Sequence, residues 1–412
     1  MKTLIKNVTL IFPGHKGHNK RFSILTDGKK ILAINGQEND AKLTIDAKGM
    51  YLFPGLVDAQ CHSGEPGFED KEDLKSLASA AQSGGFTDLF ILPSTDPVID
   101  SKGAVSYVTK ASQTNGIDFH ALGAISKGLK GEELSEMYDM HKAGAVGFTD
   151  AKRSVNDVNL MKRALYYVKN FGGIVVSFPN DERLAPGGMV NESPSNTSLG
   201  LKSTPALAEE LMLNRDIYLL RYSSSKMHVS TVSSEGSVRL VAQGKKEGLD
   251  LSAGVCLANL LFNEDVLSSF DTNFKLSPPL RSEKDRKSLI KGLKTGTIDM
   301  IVSDHTPEVI ENKDVEFDQA NQGMTMLETA LSGYQTLLSD QLDLATLVQV
   351  MSINPRQRFG LEMPDLKEGA QFKFTLFDPN EKWTYTANSK HSKASNNPFL
   401  GQPMQGKVVV IK

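Results

Sequence analysis

Two cysteines in 412 residues, Cys61 and Cys256, are too few for a disulfide framework. The formal net charge is −3, with the apolar content of an ordinary soluble protein. Nothing electrostatic therefore points to nucleic acid or an anionic membrane as partner. No run approaches the roughly 20 apolar residues that a membrane-crossing helix needs. The apolar start of the chain is broken by Lys6 too early for a secretory signal, so the expected compartment is the cytoplasm. What remains is an ordinary globular composition with a small molecule or another protein as the default partner.

The pattern of the chain divides it in three. Residues 1 to 53 hold short alternating segments, such as Thr3 to Leu10 and Lys30 to Ile34, that read as strands of a small sheet. From residue 54 to 354 apolar runs alternate with helical stretches: 88–93, 118–124, 145–148, 173–178 and 299–304 as strands, with helices expected over 159–170 and 204–214. That rhythm predicts repeated βα units closing into a parallel (β/α)₈ barrel, which commonly takes about 250 residues. After Asn354-Pro355-Arg356 the sheet-like pattern returns at 372–377 and 408–411. Residues 1–53 and 355–412 are expected to form one composite β domain beside the barrel. The segment 306–323, polar and acidic, reads equally as a lid or as a loop.

The residues with the most chemical content are Pro54-Gly55-Leu56-Val57-Asp58-Ala59-Gln60-Cys61-His62, followed by Ser63-Gly64-Glu65-Pro66-Gly67. This block resembles the first barrel strand of the cyclic amidohydrolases, and the trailing Glu-Pro-Gly is similar to that of dihydroorotases. Further ordered blocks carry the resemblance along the chain: Gly84-Gly85-Phe86-Thr87, Gly123-Ala124-Ile125-Ser126-Lys127-Gly128, His228-Val229-Ser230-Thr231, Ser277-Pro278-Pro279-Leu280-Arg281, Ser303-Asp304-His305 and Asn397-Pro398-Phe399. The chain is identified as a member of the dihydroorotase family, of the type associated with aspartate carbamoyltransferase.

The resemblance implies a metal centre at the barrel mouth, where a divalent ion lowers the pKa of bound water and an aspartate manages the proton. His62, His228 and Asp304 stand at ligand positions, Asp304 also at the catalytic one as a vestige. Gln60 replaces the first histidine of Asp-x-His-x-His. Ala151 stands where the second aspartate of Phe-Ser/Thr-Asp-Asp-Gly would bridge, and Phe178 fills another histidine position. The substrate-carboxylate anchors are altered as well, with Gly64 for arginine, Ser94 for asparagine and Glu308 for histidine. The anion of Glu308 is expected to repel the usual ligand.

Each residue also has a plainer reading. His62 and His228 serve as satisfied core histidines, Asp304 as a cap of the following loop, and Asp150 as part of a solvated loop paired with Lys152 and Arg153. If residues 58, 60 and 62 share one side of a strand, Cys61 points away as a buried structural thiol. Taken together, the substitutions predict no tightly bound cofactor and a non-catalytic partner of aspartate carbamoyltransferase, with self-association also open. The alternative is a zinc-dependent cyclic amidohydrolase with a reduced site.

Overall fold

The computed structural model describes residues 2–36 and 41–411. Eight strands form the barrel: β1 (Leu56–Cys61), β2 (Phe86–Ile91), β3 (Asp118–Gly123), β4 (Gly147–Phe148), β5 (Val175–Ser177), β6 (Met227–Val229), β7 (Leu251–Cys256) and β8 (Met300–Val302). Consecutive strands pair in parallel from β1 to β8. Closure between β8 and β1 is made just past the strand ends, where the His62 N–H donates to the His305 carbonyl at 2.9 Å. Asp58 reinforces that seam by accepting the Ser303 N–H at 2.9 Å and its hydroxyl. Burial pushes the Asp58 carboxyl up to about 7.

Small and branched side chains fill the barrel interior, with Val57, Ala59, Phe90, Leu122, Val176 and Val302 in one buried cluster. Cys61 belongs instead to the outer core beneath the helices. Strict alternation along β1 does not hold, because the pairing register slips between Asp58 and Cys61. A bulge of this kind re-aims the residues beyond it. Val57 and Ala59, two residues apart, share the inner face, Gln60 reaches Asp304 at the mouth, and Cys61 lies in the outer core.

The two ends of the chain share a seven-stranded sheet beside the barrel, in the order Pro403–Val409, Phe374–Thr384, Tyr51–Pro54, Thr3–Leu10, Arg21–Thr26 and Ile31–Ile34, with Leu43–Asp46 added to Thr3–Leu10. Leu376 lies opposite Leu52 across that sheet. Arg356 ties the barrel's lower end together. Its guanidinium donates to the Gly55 carbonyl at 2.7 Å, to Thr87 Oγ1 at 2.9 Å and to Asp88 Oδ2 at 2.6 Å. Burial works against the Asp88 carboxylate, but His120 and Arg356 together hold it down at about 2.

The expected helix at 159–170 is present as Val158–Lys169, whose first turn is capped by Asp157 accepting the Leu160 N–H at 2.7 Å. Asp157→Ala should cost about 1 kcal/mol, the usual worth of such a cap. Equal urea midpoints for the variant and the parent would refute this. The helix expected to stop near Asn214 runs on through Ala206–Ser223 and ends where Ser224 takes a left-handed conformation, φ 49°. An exposed asparagine alone does not end a helix whose apolar pattern continues.

Candidate functional site at the barrel mouth

The end of β8 delivers Asp304 in a left-handed conformation, φ 54°, and the turn after β4 holds Ala151 in another, φ 56°. Such backbone is unfavourable for both residue types and persists where surrounding contacts fix it. Here the two turns bring Lys152 onto Asp304. Lys152 Nζ donates to Asp304 Oδ2 at 2.7 Å, and Gln60 Nε2 donates to Asp304 Oδ1 at 2.7 Å. A buried carboxylate therefore has one oxygen on an ammonium and the other on an amide, and both oxygens are engaged within the chain. Asp304 does not act as a simple cap of its loop.

Lys152 is the site residue that sequence reasoning missed. The solvated-loop reading of Lys152 with Asp150 is corrected by the geometry. Asp150 is buried and accepts from the Ile125 N–H at 2.9 Å, the Ser126 N–H at 2.9 Å and the Ser126 hydroxyl at 2.5 Å. Burial still pushes its carboxyl upward against those bonds. With Asp150 committed to backbone donors, Lys152 is free to reach across the mouth. The available signal was a lysine standing where the family pattern has glycine.

His62 lies past the end of β1 with Nδ1 3.1 Å from Ser94 Oγ, while its Nε2 is buried without a partner. His228, in β6, has Nδ1 2.8 Å from Ser252 Oγ and its ring edge-on to Phe359. Burial lowers both imidazoles to about 3, helped by Lys152 at His62 and by Arg358 at His228, so both are neutral near pH 7. Ala151 lies in the inner apolar cluster and Phe178 is buried, so neither offers a donor atom. Among the described residues no group of three or more His, Cys, Asp or Glu is placed to hold a metal ion. The donor set does not fit a hydrolytic metal centre. The set offers the unpartnered Nε2 of His62 and a carboxylate whose two oxygens already accept from Lys152 and Gln60, whereas such a centre requires about three protein ligands and an open position.

The altered anchor positions are also drawn into internal contacts. Gly64 has φ +72°, and a Cβ there would run into the Glu72 carbonyl oxygen and lie 2.7 Å from that of Phe68. The loop curls over this glycine, the Phe68 N–H donating to the Gly64 carbonyl at 2.7 Å. Gly64 is thus required by the turn, and an arginine cannot be accommodated on this backbone. Gly64→Ala should lower stability by about 2 kcal/mol through left-handed strain and the clash. An unchanged melting temperature would show that the loop yields freely.

Ser94 is occupied by His62. Glu308 accepts from Lys71 Nζ at 2.8 Å, Asn312 Nδ2 at 2.8 Å and Asn321 Nδ2 at 3.2 Å. The expected repulsion of an anionic ligand by Glu308 is thereby corrected, since Lys71 neutralises the carboxylate in place. Segment 306–323 packs against the barrel. Lys313 Nζ donates to the carbonyls of Thr272, Asn321 and Gly323 at 2.6, 2.9 and 3.1 Å, and burial lowers this lysine to about 8.

A cavity of about 570 Å³ remains over the mouth, lined by Lys152, Phe178, Asn180, Thr231 and Arg281 among others. Arg281 is held by Asn191 Oδ1 at 2.8 Å and the Thr204 carbonyl at 2.7 Å, so its fork is largely used. Neither cysteine offers a nucleophile, because burial pushes both thiols up. The arrangement can lodge a small polar molecule.

Residues 49–237 match the family described as Dihydro-orotase-like, and residues 194–410 match the Amidohydrolase family. A dihydroorotase of Ruminiclostridium cellulolyticum is 40% identical over 418 residues, covering 98% of this chain and 96% of that protein. One from Acetivibrio thermocellus is 41% identical over 389 residues, covering 93% and 90%. Among solved structures, the L-hydantoinase (dihydropyrimidinase) from Arthrobacter aurescens superposes with a TM-score of 0.84 at 24% identity, covering 99% of this chain and 94% of the other, a likeness of fold. No helix among the described residues is long and apolar enough to cross a membrane.

Proposed function

The chain belongs to the dihydroorotase family of amidohydrolases, and from that premise we propose that it is a non-catalytic member which serves pyrimidine biosynthesis as a structural partner of aspartate carbamoyltransferase. The observation that carries the reading is the Lys152–Asp304–Gln60 cluster, in which an ammonium and an amide engage both oxygens of the carboxylate that metal chemistry would need. Ala151 and Phe178 support it by supplying no ligand, and Gly64, Ser94 and Glu308 by turning anchor positions inward. A barrel kept whole around such a mouth has its surfaces left to offer.

Two measurements test the proposal. Elemental analysis of protein purified without chelator should find no stoichiometric zinc. Mass analysis of the chain mixed with the transferase of the same organism, at micromolar concentration and near-physiological salt, should find a complex. Independent migration would remove the structural role.

A second reading, a cyclic amidohydrolase with a reduced site and a different substrate, is favoured by the unpartnered His62 Nε2 and the 570 Å³ cavity. One tightly held metal per chain together with ring opening of a cyclic amide would select it over the first.

A further inference from the structure

The cavity over the mouth is built by the connections that follow four consecutive barrel strands, with Lys152 after β4, Phe178 after β5, Thr231 after β6 and Leu276 to Arg281 after β7. None of the altered anchor positions Gly64, Ser94 and Glu308 lines it. Its volume of about 570 Å³ lies in the range of small-molecule sites, which are mostly apolar with a few convergent polar groups. Phe178, Leu276 and Pro279 supply the apolar wall.

The polar groups on this cavity have more donors than acceptors to receive them. Arg281 is only 4% exposed. Its Nε donates to Ser233 Oγ at 3.1 Å and its Nη1 to Asn191 and Thr204, but its Nη2 makes no hydrogen bond among the described residues and stands 3.9 Å from Glu209 Oε2. Glu209 is turned to other donors, the N–H groups of Ser233 and Ser234 at 2.8 and 3.3 Å and the Ser233 hydroxyl. Burial pulls the pKa of the guanidinium down in spite of Glu209, as befits a cation short of negative charge. Lys152 spends one of its three N–H donors on Asp304, whose other oxygen is taken by Gln60. Thr231 is buried, and its hydroxyl has no partner. Buried polar groups without partners are costly, and a ligand that supplies the missing acceptors removes that cost.

We propose that this cavity binds a small monocarboxylic acid with a ring-shaped apolar body, its carboxylate taken by the unused donors of Lys152, Arg281 and Thr231 and its body by the wall of Phe178, Leu276 and Pro279. Lysine and arginine carry donors only, so the ligand has to bring the acceptors. An organic cation would meet two positive groups whose own carboxylates are already engaged. A single negative charge suits the site better than a dianion, because Asp304 and Glu209 neutralise part of each cation from within the chain. An aromatic ring and a pyrrolidine in the wall suit a ring as the apolar body.

Benzoate is the probe, since it carries one carboxylate on one ring and has no bond for an amidohydrolase to open, so binding is read apart from turnover. Titration calorimetry of the full chain should find one site per chain with a Kd of about 1 mM or tighter, the scale for so small a ligand. Benzamide, which has the shape without the charge, and inorganic phosphate, which has charge without the ring, should each bind at least about tenfold more weakly. Thr231→Val should weaken benzoate about fivefold through the loss of one hydrogen bond. Ala185→Trp, on the cavity's rim, should abolish binding by filling the space while keeping the parent's circular dichroism and melting temperature. No binding of benzoate up to about 20 mM overturns the proposal, as does equal affinity for benzamide or for phosphate. Unchanged affinity in Ala185→Trp places the ligand elsewhere and overturns it too. A complex with the transferase is unaffected by any of these results, so the two proposals fail separately.

Discussion

Lys152→Met is expected to destabilise the protein by about 3 kcal/mol. Removing one member of a buried ion pair leaves the other charge without compensation, which costs about 3–5 kcal/mol, and the partial exposure of Lys152 sets the lower end. The carboxylate left behind is Asp304, which would keep the Gln60 amide and the weak Cys256 thiol donor but no charged partner. Because Gln60, Lys152 and Asp304 come from β1, β4 and β8, the loss should loosen the mouth across its width. Urea unfolding of Lys152→Met, Asp304→Leu and the double variant forms a cycle that isolates the pair. The double variant should recover much of the loss, since it buries no stranded charge. If Lys152→Met unfolds with the parent midpoint, the ammonium contributes nothing and the contact is incidental.

The parts of this structure that were legible in the sequence are those set by local pattern. Runs such as 88–93 and 118–124 fall on β2 and β3 because consecutive apolar residues buried on both faces leave few other conformations. The chain ends read as sheet because their alternation is short and punctuated by turn residues. What the sequence hid is non-local. Lys152 and Asp304 are 152 residues apart, and nothing near either residue announces the other. Glu308 looked like a repulsive anion because its partner Lys71 lies 237 residues away. Gly64 looked like a deleted anchor, whereas its left-handed backbone makes it a requirement of the loop.

The largest effect is expected in turnover. The purified chain with excess zinc should open neither dihydroorotate nor close carbamoyl aspartate at a measurable rate. The deficit follows from two independent losses. On the proposed reading, a carboxylate held by Lys152 and Gln60 should not activate a water, and an unanchored ring should forfeit positioning that is worth about 10⁵-fold or more in well-oriented reactions. Added metal addresses neither, because Lys152 already neutralises Asp304 and would have to be displaced into contact with a second cation. Gln60→His, Ala151→Asp and Phe178→His together should therefore leave zinc content well below one ion per chain while Lys152 remains. Adding Lys152→Gly should raise it to stoichiometric occupancy, because the same carboxylate is then free and the competing charge is gone. Turnover should still be absent in that metal-loaded variant, since Gly64, Ser94 and Glu308 continue to serve the protein's own loops and not a substrate. Two outcomes would break this chain of argument at different links. Stoichiometric zinc in the triple variant with Lys152 in place would show that the lysine yields to a metal, and robust conversion by the unmodified chain would show that its mouth holds a catalyst after all.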